Sequence, residues 1–173
     1  MSTIKSFDPE TLETRDLHKL LLSAVAPRPI AFASTIDSKG NINLSPFSYF
    51  NVFSSNPPIL IFSPSRRVRD NTTKHTLQNA DETREVVINM VDYSIVEQMS
   101  KSSNEYAKGV NEFTKTGLTE VNSLKVKPPR VLESPVSFEC VVDNIISLGD
   151  NGGAGQLVIA KAVSYTHLRA HET

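Results

Sequence analysis

Ile30-Ala31-Phe32-Ala33-Ser34-Thr35-Ile36, then Asp37-Ser38-Lys39-Gly40-Asn41, then Ile42-Asn43-Leu44-Ser45, is the stretch that decides the fold class. Its first seven residues are mostly apolar and predict a buried strand. The next five are turn chemistry: Asp and Asn side chains bond their own backbone, and Gly accepts a positive φ. Ile42 to Ser45 then alternates strictly between apolar and polar, the period of a half-buried strand. Together the three pieces predict a β-hairpin.

Working outward, residues 16–25 carry Leu17, Leu20, Leu21 and Val25 at helical spacing, with Asp16 as candidate cap. Pro27 and Pro29 forbid that helix to continue. Downstream, Pro57-Pro58 introduces a strand at 59–63, followed by a basic loop at 65–69. A helix is expected over 72–80, where Asp70, Asn71, Thr72 and Thr73 all offer capping oxygens. A strand at 85–91 and a short helix at 94–102 come next. Residues 103–129 are polar and aperiodic, and predict a long functional loop. Two last strands, 136–146 and 156–163, flank a glycine-rich tip at 149–155 that reads as flexible. Many β segments, hairpin turns and few short helices predict a mainly β barrel with helical decorations.

The chain has 173 residues, 39% hydrophobic and 21% charged, enough for one domain with a core. A formal net charge of -1 and no interleaving of aromatic with basic residues argue against nucleic acid as a partner. No apolar run approaches the roughly 20 residues that span a bilayer, and the first ten residues lack signal-peptide order. A single cysteine, Cys140, permits no internal disulfide, which is compatible with a reducing, cytoplasmic setting. It falls in a strand pattern and is read as a strand residue rather than a redox thiol. Paired carboxylates, Ser/His/Asp order and zinc spacing are absent, so neither a catalytic side chain nor a metal site is assigned.

Arg66, Arg67, Arg69 and Lys74 crowd around Asn71-Thr72-Thr73. Cations beside a helix start with free amides and hydroxyls make an anion site; a solvated basic loop is the alternative. No GxGxxG fingerprint occurs, so any nicotinamide would bind without a Rossmann domain.

Three segments, in order, carry a resemblance: Arg28 to Phe50 with its Ser45-Pro46-Phe47-Ser48, then Ser54 to Ser63 followed by Arg69 to Lys74, and lastly Tyr106 to Phe113 with Gly117-Leu118-Thr119. Over about Leu17 to Val163 the chain resembles the flavin reductase-like family. The resemblance implies a split β-barrel of Greek-key type with a few short helices, binding FMN near the interface of a homodimer. It places Ser45, Pro46, Phe47 and Ser48 along the flavin ring, and Thr35 and Asn43 at the ribityl chain or ring. Ser45 and Ser48 taken alone are equally a polar strand face. For the phosphate it implies Arg67, Asn71, Thr72, Thr73 and Lys74, with a hydroxyl from Ser63. His75 departs from the acidic residue expected there; it is either a surface helix residue or a group tuning the flavin.

The implied activity is NADH- or NADPH-dependent reduction of flavin, the cofactor supplying the hard chemistry. A non-catalytic flavin- or haem-binding barrel, or an electron carrier, is the rival reading. The flavin reductase-like domain is assigned to 1–163. Residues 164–173 resemble translated sequencing adapter, replacing a further strand and an arginine-glycine-tyrosine segment; a genuine polar tail is the alternative. His167 and His171 have helical spacing but no third metal ligand nearby.

Overall fold

The computed structural model describes residues 4–167. Seven strands form one antiparallel sheet: β1 (Ala31–Ile36), β2 (Ile42–Phe47), β3 (Phe50–Ser55), β4 (Pro58–Phe62), β5 (Glu85–Asn89), β8 (Val136–Ser147) and β9 (Gln156–His167). Between β5 and β8, a two-stranded ribbon pairs β6 (Glu120–Val121) with β7 (Arg130–Val131). The order in the large sheet is β2-β1-β5-β8-β9-β4-β3.

That order forces the sheet to curl. Its edge strands, β2 and β3, are joined by Ser48 and Tyr49 alone. Laid flat, seven strands would hold those edges about 29 Å apart, whereas the link reaches about 11 Å. The sheet therefore rolls into a barrel, and Ser63 N–H donates to the Tyr49 carbonyl at 2.9 Å, tying the link to the end of β4. No ladder joins β2 to β3 among the described residues.

The barrel interior is filled by Ala31, Ala33, Phe62, Val86, Ile88, Cys140 and Val158, with Leu77 and Ala80 packed in from α2 (His75–Thr83). Because successive strand residues face opposite ways, Phe32 and Leu44 point outward. There they meet Ile95, Phe113 and Leu118, carried by α3 (Val96–Ser102), α4 (Glu112–Thr116) and the turns beside them. Glu112 crosses this outer layer, its carboxylate accepting from Leu44 N–H at 2.9 Å. Burial pushes the Glu112 carboxyl up, and the Leu44 N–H opposes the shift.

The expected hairpin is present, Ala31 to Ile36 lying opposite Phe47 to Ile42. β3 went unread because Val52 and Phe53 are both exposed and a bulge separates Val52 from Ser54, which breaks the period of two. α1 (Thr14–Ala24) starts two residues earlier than expected, and Asp16 pairs with Lys19 instead of capping. α2 starts three residues later than expected. Arg67 binds the Thr72 carbonyl through its N–H, and the Thr72 hydroxyl and Thr73 carbonyl through its side chain, which holds both residues out of the helix.

The 103–129 stretch is largely a strap. Glu139, fully buried on β8, accepts from the N–H groups of Leu124 and Lys125, and Glu85 accepts from Lys127 N–H. Phe113 is a core residue, and Gly117 closes α4 in a left-handed conformation.

β9 was expected to end at Val163 but continues to His167, with Ser164, Tyr165 and Thr166 opposite Glu139, Phe138 and Ser137. Backbone pairing tolerates most side chains, so these residues are taken into the sheet although their pattern did not announce a strand. Tyr165 also packs on Phe138 at 5.3 Å between ring centroids. Residues 168–173, and with them His171 and the rest of the tail reading, lie outside the described residues. Among the described residues no helix is long and apolar enough to cross a membrane.

Cys140 is fully buried. Burial, reinforced by the neighbouring Glu139 charge, pushes its thiol up to about 12, so the reactive thiolate is scarce at neutral pH. A chromogenic disulfide reagent is expected to leave the native protein unlabelled and to modify one thiol after unfolding in urea. Rapid labelling of the native protein would overturn this placement.

Candidate functional site

A cleft of about 670 Å³ opens beside the β2–β3 link. Leu17, Leu21 and Leu22 of α1 form one apolar wall, and Pro46 and Phe47 at the end of β2 the other. Phe47 is backed by buried Phe62, their ring centroids 5.5 Å apart. Arg28 holds α1 in place: its guanidinium donates to the Leu22 carbonyl at 2.6 Å and to the Val25 carbonyl, capping the helix end. At the cleft's edge the Tyr49 hydroxyl meets His18 Nδ1 at 3.2 Å, with the two rings edge to face.

The opposite end is cationic. Arg66, Arg67 and Arg69 approach from the loop after β4, Lys74 from the start of α2, and Glu105 from the segment after α3. The arginines are already engaged. Arg66 bonds the Asn71 side chain and carbonyl at 2.8 and 2.7 Å, and Arg69 pairs with Glu105 and Asp70 at 2.9 and 3.2 Å. Arg67 reaches Glu105 at 3.4 Å. Asp70 accepts from Thr72 through both its N–H and its hydroxyl, which holds its carboxyl down at about 2.

Lys74 differs. It is half-buried, and no carboxylate pairs with it among the described residues. Burial, then the charge of Arg67, pushes its ammonium below the usual lysine range, while Glu105 opposes the shift. The same surroundings lower His75, burial first and then Arg67, Lys108 and Lys74. Among the described residues, this end of the cleft is lined by four cationic side chains, Arg66, Arg67, Arg69 and Lys74, and one carboxylate, Glu105.

Of the residues named from sequence, the fold gathers Pro46, Phe47, Ser48, Ser63, Arg67 and Lys74 around the cleft. Ser63 also accepts from Gln156 N–H at 3.0 Å. Thr35 and Asn43 are turned elsewhere: both are buried against α2, bonded to Asn79 and Thr76 at 3.2 and 2.8 Å. Ser45 lies half-buried on β2, outside the cleft lining.

Asn71, Thr72 and Thr73 precede α2 rather than opening it, and their side chains build the loop. Asn71 takes a left-handed φ of 56° and donates to the Asp150 carbonyl, and Thr73 accepts from Gln78. His18, Tyr49, Glu105 and the cleft-lining role of α1 escaped the sequence reading. The one signal was the apolar stripe of α1, a helix in which no residue is fully buried.

The 149–155 tip, expected to be flexible, is docked on the arginine loop. Arg66 N–H donates to the Ala154 carbonyl, and Gly153 N–H to the Arg66 carbonyl, both at 2.9 Å. A Cβ on Gly152 would stand 2.9 Å from Val68 Cα and 3.1 Å from the Arg67 carbonyl oxygen. Both are backbone atoms, so neither swings aside. Gly152→Ala is therefore expected to cost about 1–3 kcal/mol, read by urea denaturation; an unchanged midpoint would show that the tip yields freely.

A sequence model of the flavin reductase like domain matches residues 23–173. The chain belongs to the flavin reductase-like family. An uncharacterized protein of Aquifex aeolicus is 44% identical over 147 residues, covering 85% of this chain and 72% of its own length. The crystal structure of nitrilotriacetate monooxygenase component B from Bacillus cereus superposes with a TM-score of 0.91 at 30% identity, over 100% of this chain and 85% of that one. A protein with a split barrel domain from Shewanella frigidimarina gives 0.77 at 30% identity, over 96% and 81%. The fold is thus the family's mainly β split barrel. The family match begins at residue 23, so nearly all of α1, one wall of the cleft, precedes it.

Proposed function

We propose that the cleft binds FMN and that the protein is an NADH- or NADPH-dependent flavin reductase. The observation that carries this reading is the polarity of the cleft, apolar walls at one end and the half-buried, unpaired Lys74 among arginines at the other. A flavin mononucleotide has the same polarity, a flat apolar ring at one end and a phosphate at the other. Phe47 and Pro46 would support the ring against the α1 leucines, while Lys74, Arg67 and Arg69 would receive the phosphate. Bound flavin would supply the hydride-accepting chemistry. The chain's part is to orient the ring, exclude water from its buried face and leave the other face open to nicotinamide. Among the described residues no cluster of three His, Cys, Asp or Glu side chains is placed to hold a metal ion.

A homodimer is the favoured assembly. Leu20 and Leu21 of α1, Val25 just after it, and Val52 and Phe53 of β3 are large apolar side chains left exposed. Burying these side chains against a second copy would remove them from water. Light scattering is expected to give twice the chain mass; a monomer at micromolar concentration would refute the assembly.

The activity is tested by adding NADH, then NADPH, anaerobically to the protein loaded with FMN. Loss of the flavin's visible absorbance supports a reductase, and the faster donor names the co-substrate. A flavin that ignores both donors yet is reduced by dithionite would make the protein a carrier or binder instead.

A further inference from the structure

Among the described residues, Glu105 is the one carboxylate that lines the cationic end of the cleft. Its two oxygens are split between two arginines, Oε1 at 3.4 Å from Arg67 Nε and Oε2 at 2.9 Å from Arg69 Nη1. Of the other donors, Arg67 Nη1 binds Thr72 and Thr73, and Arg69 Nη2 binds Asp70. Glu105 thus holds Arg67 Nε and Arg69 Nη1, two of the donors that a phosphate at this end of the cleft would use.

We propose that Glu105 is a specificity-determining residue of the cleft: its carboxylate stands where a flavin phosphate would bind Arg67 and Arg69, so FMN must displace it and is held loosely enough to exchange. The proposal rests on the FMN reading above. Displacement is physically easy. The Glu105 side chain is about half exposed, and residues 103–109 include no buried side chain. The anchors of this region, Ser102 and Phe113, lie on either side of it, so the segment swings out without opening the core. The resulting site gains less from a phosphate than its cation count implies, because contacts to Arg67 Nε and Arg69 Nη1 replace ion pairs already made. Arg67 and Arg69 therefore add little to the preference for FMN over riboflavin, which falls chiefly to Lys74, and release of the flavin is eased.

The experiment measures FMN and riboflavin affinity by fluorescence quenching, and FMN release by stopped flow, for the full chain and for Glu105→Gln. Glutamine keeps the size and the hydrogen-bonding reach but removes the charge. Ion pairs of a half-exposed carboxylate, one of them at 3.4 Å, are modest in strength, so the expected gain is on the order of tenfold in FMN affinity. Most of it should appear as slower release, with riboflavin affinity unchanged. If Glu105→Gln leaves FMN affinity the same or weakens it while the unaltered protein prefers FMN over riboflavin, the phosphate site stands and the proposal falls; Glu105 then merely orients the arginines. If both ligands tighten equally, Glu105 acts on the ring or the cleft as a whole, which also overturns it. If the unaltered protein and the variant both bind FMN and riboflavin equally, the phosphate reading itself fails and takes this inference with it.

Discussion

Glu139→Ala is expected to lower the unfolding free energy by about 3–5 kcal/mol, the cost of stripping one partner from a buried charged network. The Glu139 side chain is fully buried on β8. Its carboxylate accepts from Leu124 N–H at 2.9 and 3.0 Å and from Lys125 N–H at 2.6 Å, and stands 3.7 Å from Arg130 Nε. Arg130 Nε, itself buried, makes no hydrogen bond. Alanine would leave two backbone N–H groups without an acceptor and Arg130 without its carboxylate partner, and would open a void beneath the strap. Glu139→Gln, which retains one acceptor oxygen and most of the volume, should lose less than alanine does. Urea denaturation of the three proteins checks this. A midpoint for Glu139→Ala within experimental error of the parent would mean the 122–131 strap is held by its other contacts, such as Glu85 to Lys127 N–H.

Lys74→Met should weaken FMN binding by about 1.5–3 kcal/mol, the range for a hydrogen bond to a charged group, which is about ten- to a hundredfold in affinity. Riboflavin binding should not change. Methionine keeps the length of the stem and removes only the ammonium. The pH dependence gives a second check. An anion binds the protonated lysine, so affinity is constant below the Lys74 pKa and falls as pH rises through it. Burial and Arg67 hold that pKa below the ordinary lysine value. The fall should therefore begin at lower pH than an exposed lysine would give, and riboflavin should show no such fall. Equal losses for both ligands would place Lys74 at the ring instead of the phosphate.

The two outcomes concern residues of very different legibility. Lys74 was readable from the sequence because a cation cluster in a turn-rich stretch needs no tertiary contact to be recognised. Glu139 was not, since in the run from Val136 to Val142 a buried carboxylate looks like the polar half of a strand. Only the folded chain brings residues 124 and 125 over it.

The sequence by itself determined the β1–β2 hairpin, the strand following Pro57-Pro58, the long terminal hairpin and the basic loop. Each of these is governed by local terms: side-chain period, turn residues that accept special φ values, and prolines that forbid helix. The ordered motifs also carried the family. Tertiary structure alone decided which polar residues face the cleft. Thr35, Asn43, Asn71, Thr72 and Thr73 all have the right chemistry, yet α2 and the arginine loop consume their hydrogen bonds. A hydrogen-bonding group goes to whichever partner the packed chain presents, and that partner can lie tens of residues away. The same holds for closure of the barrel, for the α1 wall and for Glu105 among the arginines. Closure follows from a seven-stranded sheet whose edges are joined by two residues, a constraint visible only once the strand order is known. The α1 wall and Glu105 are set by arginines that the fold brings to them.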